Sequence, residues 1–308
     1  MDRILVTPRS LTATPHAAIA ALRAKGYDVV YSTPGRLPDE AELLQLVPDV
    51  VGWLAGVEPV SANVLRAADK LRVISRNGTG VDNLPMDVVD ERGIVVRRAD
   101  GANAAGVAEL AIALMFAALR RVPLTDAGIK AGQWLRKRGF EIRGRTVGVV
   151  GCGAIGAEVA RLAAALGAHV VAYDPRRPNI DLPSSQFEWA AIPELLARSF
   201  VVSLHCPAPE DGNPLMDAQR LALMPRGGFL VNTARGSLID EQAVIAALDS
   251  GQLATYATDV FVEEPPASLA LFARPDVIAT THIGGFTDES VDRATEIAVA
   301  NLLESLKR

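Results

Sequence analysis

The 308 residues, 32.6 kDa, exceed one ordinary domain, and at roughly 150 residues per domain they point to two. Lys and Arg number 31 against 36 Asp and Glu, a formal charge of -5, so the chain lacks the global basic field that holds nucleic acid. A 49% hydrophobic and 22% charged composition belongs to a folding chain; with no apolar run near the ~20 residues of a membrane span and no apolar leader in Met1–Thr7, a soluble, cytoplasmic protein is expected.

The first hundred residues alternate short β-branched runs with Ala/Leu-rich amphipathic stretches, the pattern of βαβ units on a parallel sheet. Ile4–Val6 reads as a strand. A helix is expected over about 14–25, with Thr14 as its cap and Pro15 in its first turn. Strands are then expected at Val29–Tyr31, Val50–Trp53, Leu71–Ser75 and Ile94–Val96, with helices near 39–46, 61–69 and 85–91. From Asn103 to Arg121 the chain is almost continuously Ala, Leu, Ile and Met, a buried helix placed between two domains.

A second α/β series follows, with strands at Thr146–Val150, Val170–Tyr173, Phe200–Leu204, Phe229–Asn232 and Val277–Ala279. The last stretch, Asp288–Leu306, reads as an amphipathic helix with no strand after it, and the first domain is its expected host. The fold class expected is α/β: two doubly wound, Rossmann-like parallel-sheet domains.

Gly151-Cys152-Gly153-Ala154-Ile155-Gly156 matches G-x-G-x-x-G directly after a strand, with a helix expected from Ala157 to Leu166. Gly151 can make the tight turn, Gly153 can admit a pyrophosphate to the helix N-terminus, and Gly156 lets the helix pack on the strand. The next strand ends at Asp174, where a carboxylate accepts from a ribose diol and repels a 2′-phosphate. NAD is the cofactor this pattern favours, although Arg176 and Arg177 leave NADP open.

Asn232-Thr233-Ala234-Arg235-Gly236 ends a strand on the same carboxyl edge, where Arg235 can fork onto a carboxylate. Glu264, in Asp259–Pro265, and His282, before Gly284-Gly285, follow later strands. Of four histidines, His16 and His169 read as packing or solvated residues, His205 beside Pro207 as lining the cofactor pocket, and His282 as the one exposed to a ligand. Only Cys152 and Cys206 are present, with no spacing for a disulfide scaffold or a structural zinc, and no metal is expected.

Together these segments resemble the D-isomer-specific 2-hydroxyacid dehydrogenases, in particular their phosphoglycerate dehydrogenase-like branch. The resemblance extends over nearly the whole chain and takes in Ser75–Asn83, similar to the family's substrate loop, and Gly101–Asn103 with Val107–Glu109, similar to its interdomain helix. It implies a cofactor domain, 101–285, inserted in a substrate domain formed by 1–100 and 286–308. Arg235, Glu264 and His282 fall on the catalytic set. Thr79, Gly151, Gly153, Ala154, Ile155, Gly156, Asp174, Cys206, Pro207, Thr233, Ala234, Arg235, Asp259, His282, Gly284 and Gly285 fall on cofactor contacts, and Arg76, Asn77, Gly78, Thr79, Gly80 and Arg235 on substrate contacts.

The resemblance implies hydride transfer between NAD(H) and C2 of a small D-2-hydroxy or 2-keto acid, with a homodimer through the Ala-rich helix region. The amides of Asn77–Gly80 with Arg235 would hold the substrate, His282 would be the acid, Glu264 would orient it, and Asp259 would fix the nicotinamide carboxamide. Two departures stand out: Ala154 replaces a basic residue near the pyrophosphate, and Leu54–Glu58 lacks the arginine that phosphoglycerate enzymes place there for phosphate. An NAD(H)-sensing binding protein of the corepressor type is the alternative on the same fold.

Overall fold

The computed structural model describes residues 1–14, 16–81, 83–209 and 211–307. The chain divides into two compact units, Met1–Asn103 with Thr287–Arg308, and Ala104–Phe286.

The first unit is a five-stranded parallel sheet in the order β2-β1-β3-β4-β5, formed by β1 (Arg3–Val6), β2 (Asp28–Tyr31), β3 (Val50–Ala55), β4 (Val73–Arg76) and β5 (Val95–Arg97). Every residue of β3 and β4 is buried, as expected of strands covered on both faces. One cover is the C-terminal helix Asp288–Leu306, N-capped by Thr287, whose hydroxyl accepts from Ser290 N–H at 3.1 Å. Its apolar stripe, Ala294, Ala298, Leu302 and Leu306, repeats every four residues. Gly52 lets the helix approach β3, since a Cβ there would meet Leu306 and Leu302 at 3.1 and 3.2 Å. The terminal helix therefore closes the first unit's core.

The helix expected over 14–25 is present from Ala17 to Ala24, and a shorter piece that the sequence did not suggest precedes it. Arg9–Ala13 is a short helix ending at Thr14, whose backbone is extended, and a 3₁₀ turn at Ala17–Ile19 leads into the helix Ala20–Ala24. His16, not Thr14, caps the second piece, its Nδ1 accepting from Ala18 N–H at 3.1 Å. The Pro15 expectation lies outside the described residues.

The second unit has seven parallel strands: β6 (Thr146–Val150), β7 (His169–Tyr173), β8 (Phe187–Trp189), β9 (Val201–Leu204), β10 (Gly228–Asn232), β11 (Leu253–Thr258) and β12 (Val277–Ala279). Their order, β12-β11-β10-β9-β6-β7-β8, reverses direction beside β6, and such a switch point opens a crevice at the carboxyl ends of the strands. The helix Ala104–Leu119 buries Ala108, Ala111 and Met115 in the same core as Val147, Val149 and Ala160. Among the described residues no helix is long and apolar enough to cross a membrane.

If the terminal helix is integral to the first unit, truncating its deepest apolar contact must destabilise that unit. Leu302→Ala is expected to cost ~2–5 kcal/mol in urea unfolding, the usual range for a fully buried leucine. A loss below ~1 kcal/mol would show that the helix is an accessory cover.

Candidate active site

β6 runs into Gly151, whose φ of +89° turns the chain towards the helix Ala154–Ala165. That helix starts three residues earlier than the sequence suggests, so the whole Ala154-Ile155-Gly156 segment forms its first turn. The amides of this turn have no intrahelical partner and lie at the positive end of the helix dipole. A Cβ at Gly156 would overlap the carbonyl oxygen of Gly151, whereas one at Gly153 would meet nothing within 4 Å. Gly156 is thus required for packing, and Gly153 leaves an open cradle against the helix end.

At the end of β7, Asp174 is 5% exposed. Its Oδ2 accepts from Cys152 N–H at 2.9 Å and its Oδ1 from Arg176 N–H at 2.8 Å, leaving a lone pair on each oxygen. The Arg176 side chain, 80% exposed, holds its Nε 3.7 Å from Oδ1. An open helix N-terminus with a buried carboxylate one strand away fits a dinucleotide: the amides suit a pyrophosphate and the carboxylate suits a ribose diol.

The loop after β9 lies against this turn. A Cβ at Gly151 would sit 2.8 Å from the Cys206 nitrogen. Cys206 is half-buried and Pro207 exposed. Burial pushes the Cys152 thiol up to about 12 and the Cys206 thiol to about 11, so neither is a ready nucleophile. Burial pushes the His205 imidazole down to about 3, and its ring contacts Ser203 Oγ at 2.8 Å and Thr233 Oγ1 at 3.5 Å. His205 therefore stays neutral and lines the site without titrating there.

The other carboxyl-edge loops meet around His282. Its Nδ1 lies 2.7 Å from Glu264 Oε2 and 2.9 Å from Oε1, and both side chains are partly exposed. The hydrogen bond and charge of Glu264 raise the imidazole above its ordinary value against the opposing effects of desolvation and Arg235. Burial pushes the Glu264 carboxyl up, but the hydrogen bond and charge of His282, with Phe261 N–H and Arg235, hold it below the usual carboxylate range. Arg235 Nη1 donates to the carbonyl of Ala234 at 2.7 Å, and Thr233 and Ala234 are buried beneath it. Arg235, Glu264 and His282 thus share one electrostatic cluster.

His282 has φ of +55°, in the left-handed region that non-glycine residues rarely occupy. Asp259 secures this conformation. Buried in the fold, it accepts at Oδ1 from Thr280 Oγ1 (2.6 Å) and Ile283 N–H (2.9 Å), and at Oδ2 from Gly284 N–H (2.8 Å). These three bonds surround His282 in sequence and leave one acceptor position on the carboxylate among the described residues. Asp259 is first a clamp on the 280–284 loop. Gly285 is half-buried in the turn that follows.

The sequence shows Asn232 and Gly236 within the Arg235 motif but not their part in joining these loops, and it does not single out Thr258. Asn232 Nδ2 donates to Arg235 O at 2.8 Å and its Oδ1 accepts from Ala234 N–H at 3.1 Å, while Thr258 Oγ1 reaches Val260 O at 2.8 Å. Gly236 allows the Arg235 loop to lie on the backbone of Phe261 and Val262, where a Cβ would overlap it. The available signal was a set of polar or small residues at the ends of apolar strands, where buried polar groups need fixed partners.

Arg76, Asn77, Gly78, Thr79 and Gly80 lie in the first unit, at the end of β4 and in the loop beyond it. Arg76 is buried and donates from Nε to Gly80 O at 2.8 Å, shaping that loop. The expectation that the Asn77 amide holds substrate is corrected: its N–H donates to Ala55 O at 2.8 Å, and its side chain meets Thr295 at 3.5 Å. Asp82, within the Ser75–Asn83 motif, lies outside the described residues.

Residues 112–284 match the family model described as D-isomer specific 2-hydroxyacid dehydrogenase, NAD binding domain. A hydroxypyruvate reductase of Thermotoga maritima is 36% identical over 274 residues, covering 87% of this chain and 89% of that protein. A D-3-phosphoglycerate dehydrogenase of Mycobacterium bovis is 40% identical over 265 residues, 85% of this chain but 50% of that protein, so the chain spans about half the length of such relatives. The crystal structure of a glyoxylate reductase from Paecilomyes thermophila superposes with a TM-score of 0.86 at 28% identity, covering 100% of this chain and 96% of that one. With the dinucleotide turn and the His282–Glu264 pair on one sheet edge, the matched segment is an NAD-binding domain and the chain belongs to the D-isomer-specific 2-hydroxyacid dehydrogenase family.

Proposed function

We propose that this chain is an NAD(H)-dependent oxidoreductase that interconverts a short D-2-hydroxy acid and its 2-keto acid. The observation that carries the reading is the His282 Nδ1–Glu264 contact at 2.7 Å with Arg235 in the same cluster. The names of relatives, hydroxypyruvate reductase and glyoxylate reductase, support the substrate class.

Bound NAD(H) supplies or accepts the hydride at C2. The first-turn amides of Ala154 and Ile155, with the open face at Gly153, would hold its pyrophosphate, and Asp174 its ribose hydroxyls. The remaining acceptor position on Asp259 suits an amide N–H of the nicotinamide carboxamide. Thr79, Cys206, Pro207, Thr233, Ala234, Gly284 and Gly285 complete the proposed contacts by backbone and small side chains.

Arg235 pairs with the substrate carboxylate. Within the first unit, the amides of Gly78, Thr79 and Gly80 are the groups that the resemblance gives to the substrate. Glu264 fixes Nδ1–H of His282, so Nε2 carries the mobile proton. In reduction that proton goes to the C2 oxygen as it gains negative charge; in oxidation Nε2 removes it from the hydroxyl. Glu264 favours imidazolium and thereby the reducing direction at neutral pH.

A homodimer and a cytoplasmic location are part of the same reading. The Ala-rich helix Ala104–Leu119 is buried in its own unit, so the segment after it is the better dimer surface: Val122, Ile129 and Trp134 are 52%, 57% and 81% exposed. Two free cysteines in a chain of this size suit a reducing compartment.

Asp174 generates a cofactor prediction. With its carboxylate buried where a 2′-phosphate would sit, like charges placed together cost several kcal/mol, and kcat/KM with NADH should exceed that with NADPH by at least ~10-fold. Equal or better use of NADPH would reassign Asp174 and give the site to Arg176 and Arg177.

The mechanism rests on His282. His282→Ala should lower kcat with glyoxylate by at least ~10²-fold while NADH binding, followed by fluorescence, stays nearly intact. Near-wild-type kcat would refute the proton-transfer role. Glu264→Gln keeps the size and removes the charge that raises the imidazole. The imidazolium then loses its proton earlier as pH rises, so the high-pH limb of keto-acid reduction should move to lower pH; an unmoved limb would uncouple the pair.

A further inference from the structure

The loop after β3, Gly56-Val57-Glu58, contains no basic residue, and its acidic residue is wholly buried. Glu58 Oε1 accepts from Gly56 N–H at 3.0 Å and from the Thr7 hydroxyl, which in turn accepts from Trp53 Nε1 at 2.8 Å. Its Oε2 is buried with no hydrogen-bond partner among the described residues. That oxygen lies against Gly56, where a Cβ would meet it at 2.7 Å, so the carboxyl occupies the space that the missing side chain leaves. A buried carboxylate with one bare oxygen is costly, and its retention at the functional edge of a parallel sheet asks for a reason beyond packing.

Its surroundings supply one. Asn77 N–H on Ala55 O ties this loop to the one after β4, and neighbouring strands lie only ~4.8 Å apart. A short acid held by the amides of Gly78–Gly80 therefore has its far end within reach of residues 55–58. Arg76, at the end of β4, is the register partner of Ala55 at the end of β3, and Glu58 lies within its field. Burial pushes the Glu58 carboxyl up, while the bonds from Thr7 and Gly56 and the charge of Arg76 favour the anion.

We propose that Glu58 is a specificity-determining charge filter: it offsets the positive field of Arg76 beneath the 55–58 loop, so that the site takes 2-keto acids with an uncharged C3 end and rejects those bearing a phosphate. The inference rests on the oxidoreductase reading above and names the substrate class of that site. Selection works against the wrong substrate, since an anion brought to this loop finds a carboxylate and no free cation side chain on the loop itself.

The test compares kcat/KM for hydroxypyruvate and 3-phosphohydroxypyruvate in the wild-type chain, Glu58→Gln and Val57→Lys, at a pH on the alkaline side of neutrality. The wild type should favour hydroxypyruvate. Glu58→Gln should move the ratio towards the phosphorylated acid by at least ~10-fold, the effect of one charge removed from a partly desolvated site. Val57 is 68% exposed, so Val57→Lys adds a cation without disturbing the core and should shift the ratio the same way. A wild type that prefers the phosphorylated acid overturns the inference, as does a ratio unmoved by Glu58→Gln in folded protein or by Val57→Lys. Glyoxylate reduction by the wild type reports on the oxidoreductase reading alone: if it occurs and the ratios stay fixed, only the role of Glu58 falls.

Discussion

The arrangement of the second unit's functional edge depends on the carboxylate of Asp259. A buried carboxylate must have its oxygens satisfied, and here the donors are Thr280, Ile283 and Gly284, the residues around His282. Their geometry holds His282 at positive φ, a conformation costing of order 1–3 kcal/mol for a non-glycine residue unless its surroundings fix it. The strain is local, and the clamp that offsets it is rooted in the central strands: Asp259 N–H donates to Asn232 O at 3.0 Å and Thr280 N–H to Thr258 O at 2.9 Å. The imidazole is thus referenced to β10, β11 and β12 rather than to a free loop.

From that fixed point the electrostatics follow. Glu264 and His282 shift each other in opposite directions, carboxyl down and imidazole up, as a close ion pair must. Arg235 lowers both, which places a third charge in the cluster. His205 shows the contrast. It belongs to the same edge of the sheet, but burial without an acidic partner keeps it neutral, so two histidines of one sheet edge shift in opposite directions through their surroundings alone.

Much of this was legible in the sequence where one residue type imposes one geometry. The β-branched runs marked β1, β6, β7 and β9, the spaced glycines marked the strand–turn–helix at Gly151–Gly156, and the sequence put Asp174 and Arg235 at strand ends and Glu264 and His282 in the loops after later strands, where they stand. β11, Leu-Ala-Thr-Tyr-Ala-Thr, was not legible, because its small and hydroxyl side chains carry no apolar run even though most of it is buried. The cap of the helix at 17–24 was misread, since composition does not reveal that His16 can cap a turn, and the short helix Arg9–Ala13 before it left no signal. The Asn77 amide, the clamp on Asp259 and the buried Glu58 are tertiary facts: each depends on a partner brought from another strand, which no local pattern encodes.

The central claim is that a clamped loop and one carboxylate keep His282 ready as an imidazolium. Its most direct test is an NMR titration of the four imidazoles in the wild-type chain and in Asp259→Asn. In the wild type the His282 resonance should titrate above the ordinary ~6.5, and in Asp259→Asn, where the clamp and a nearby negative charge are both weakened, it should fall towards that value. A wild-type His282 that titrates at or below ~6.5 would contradict the account.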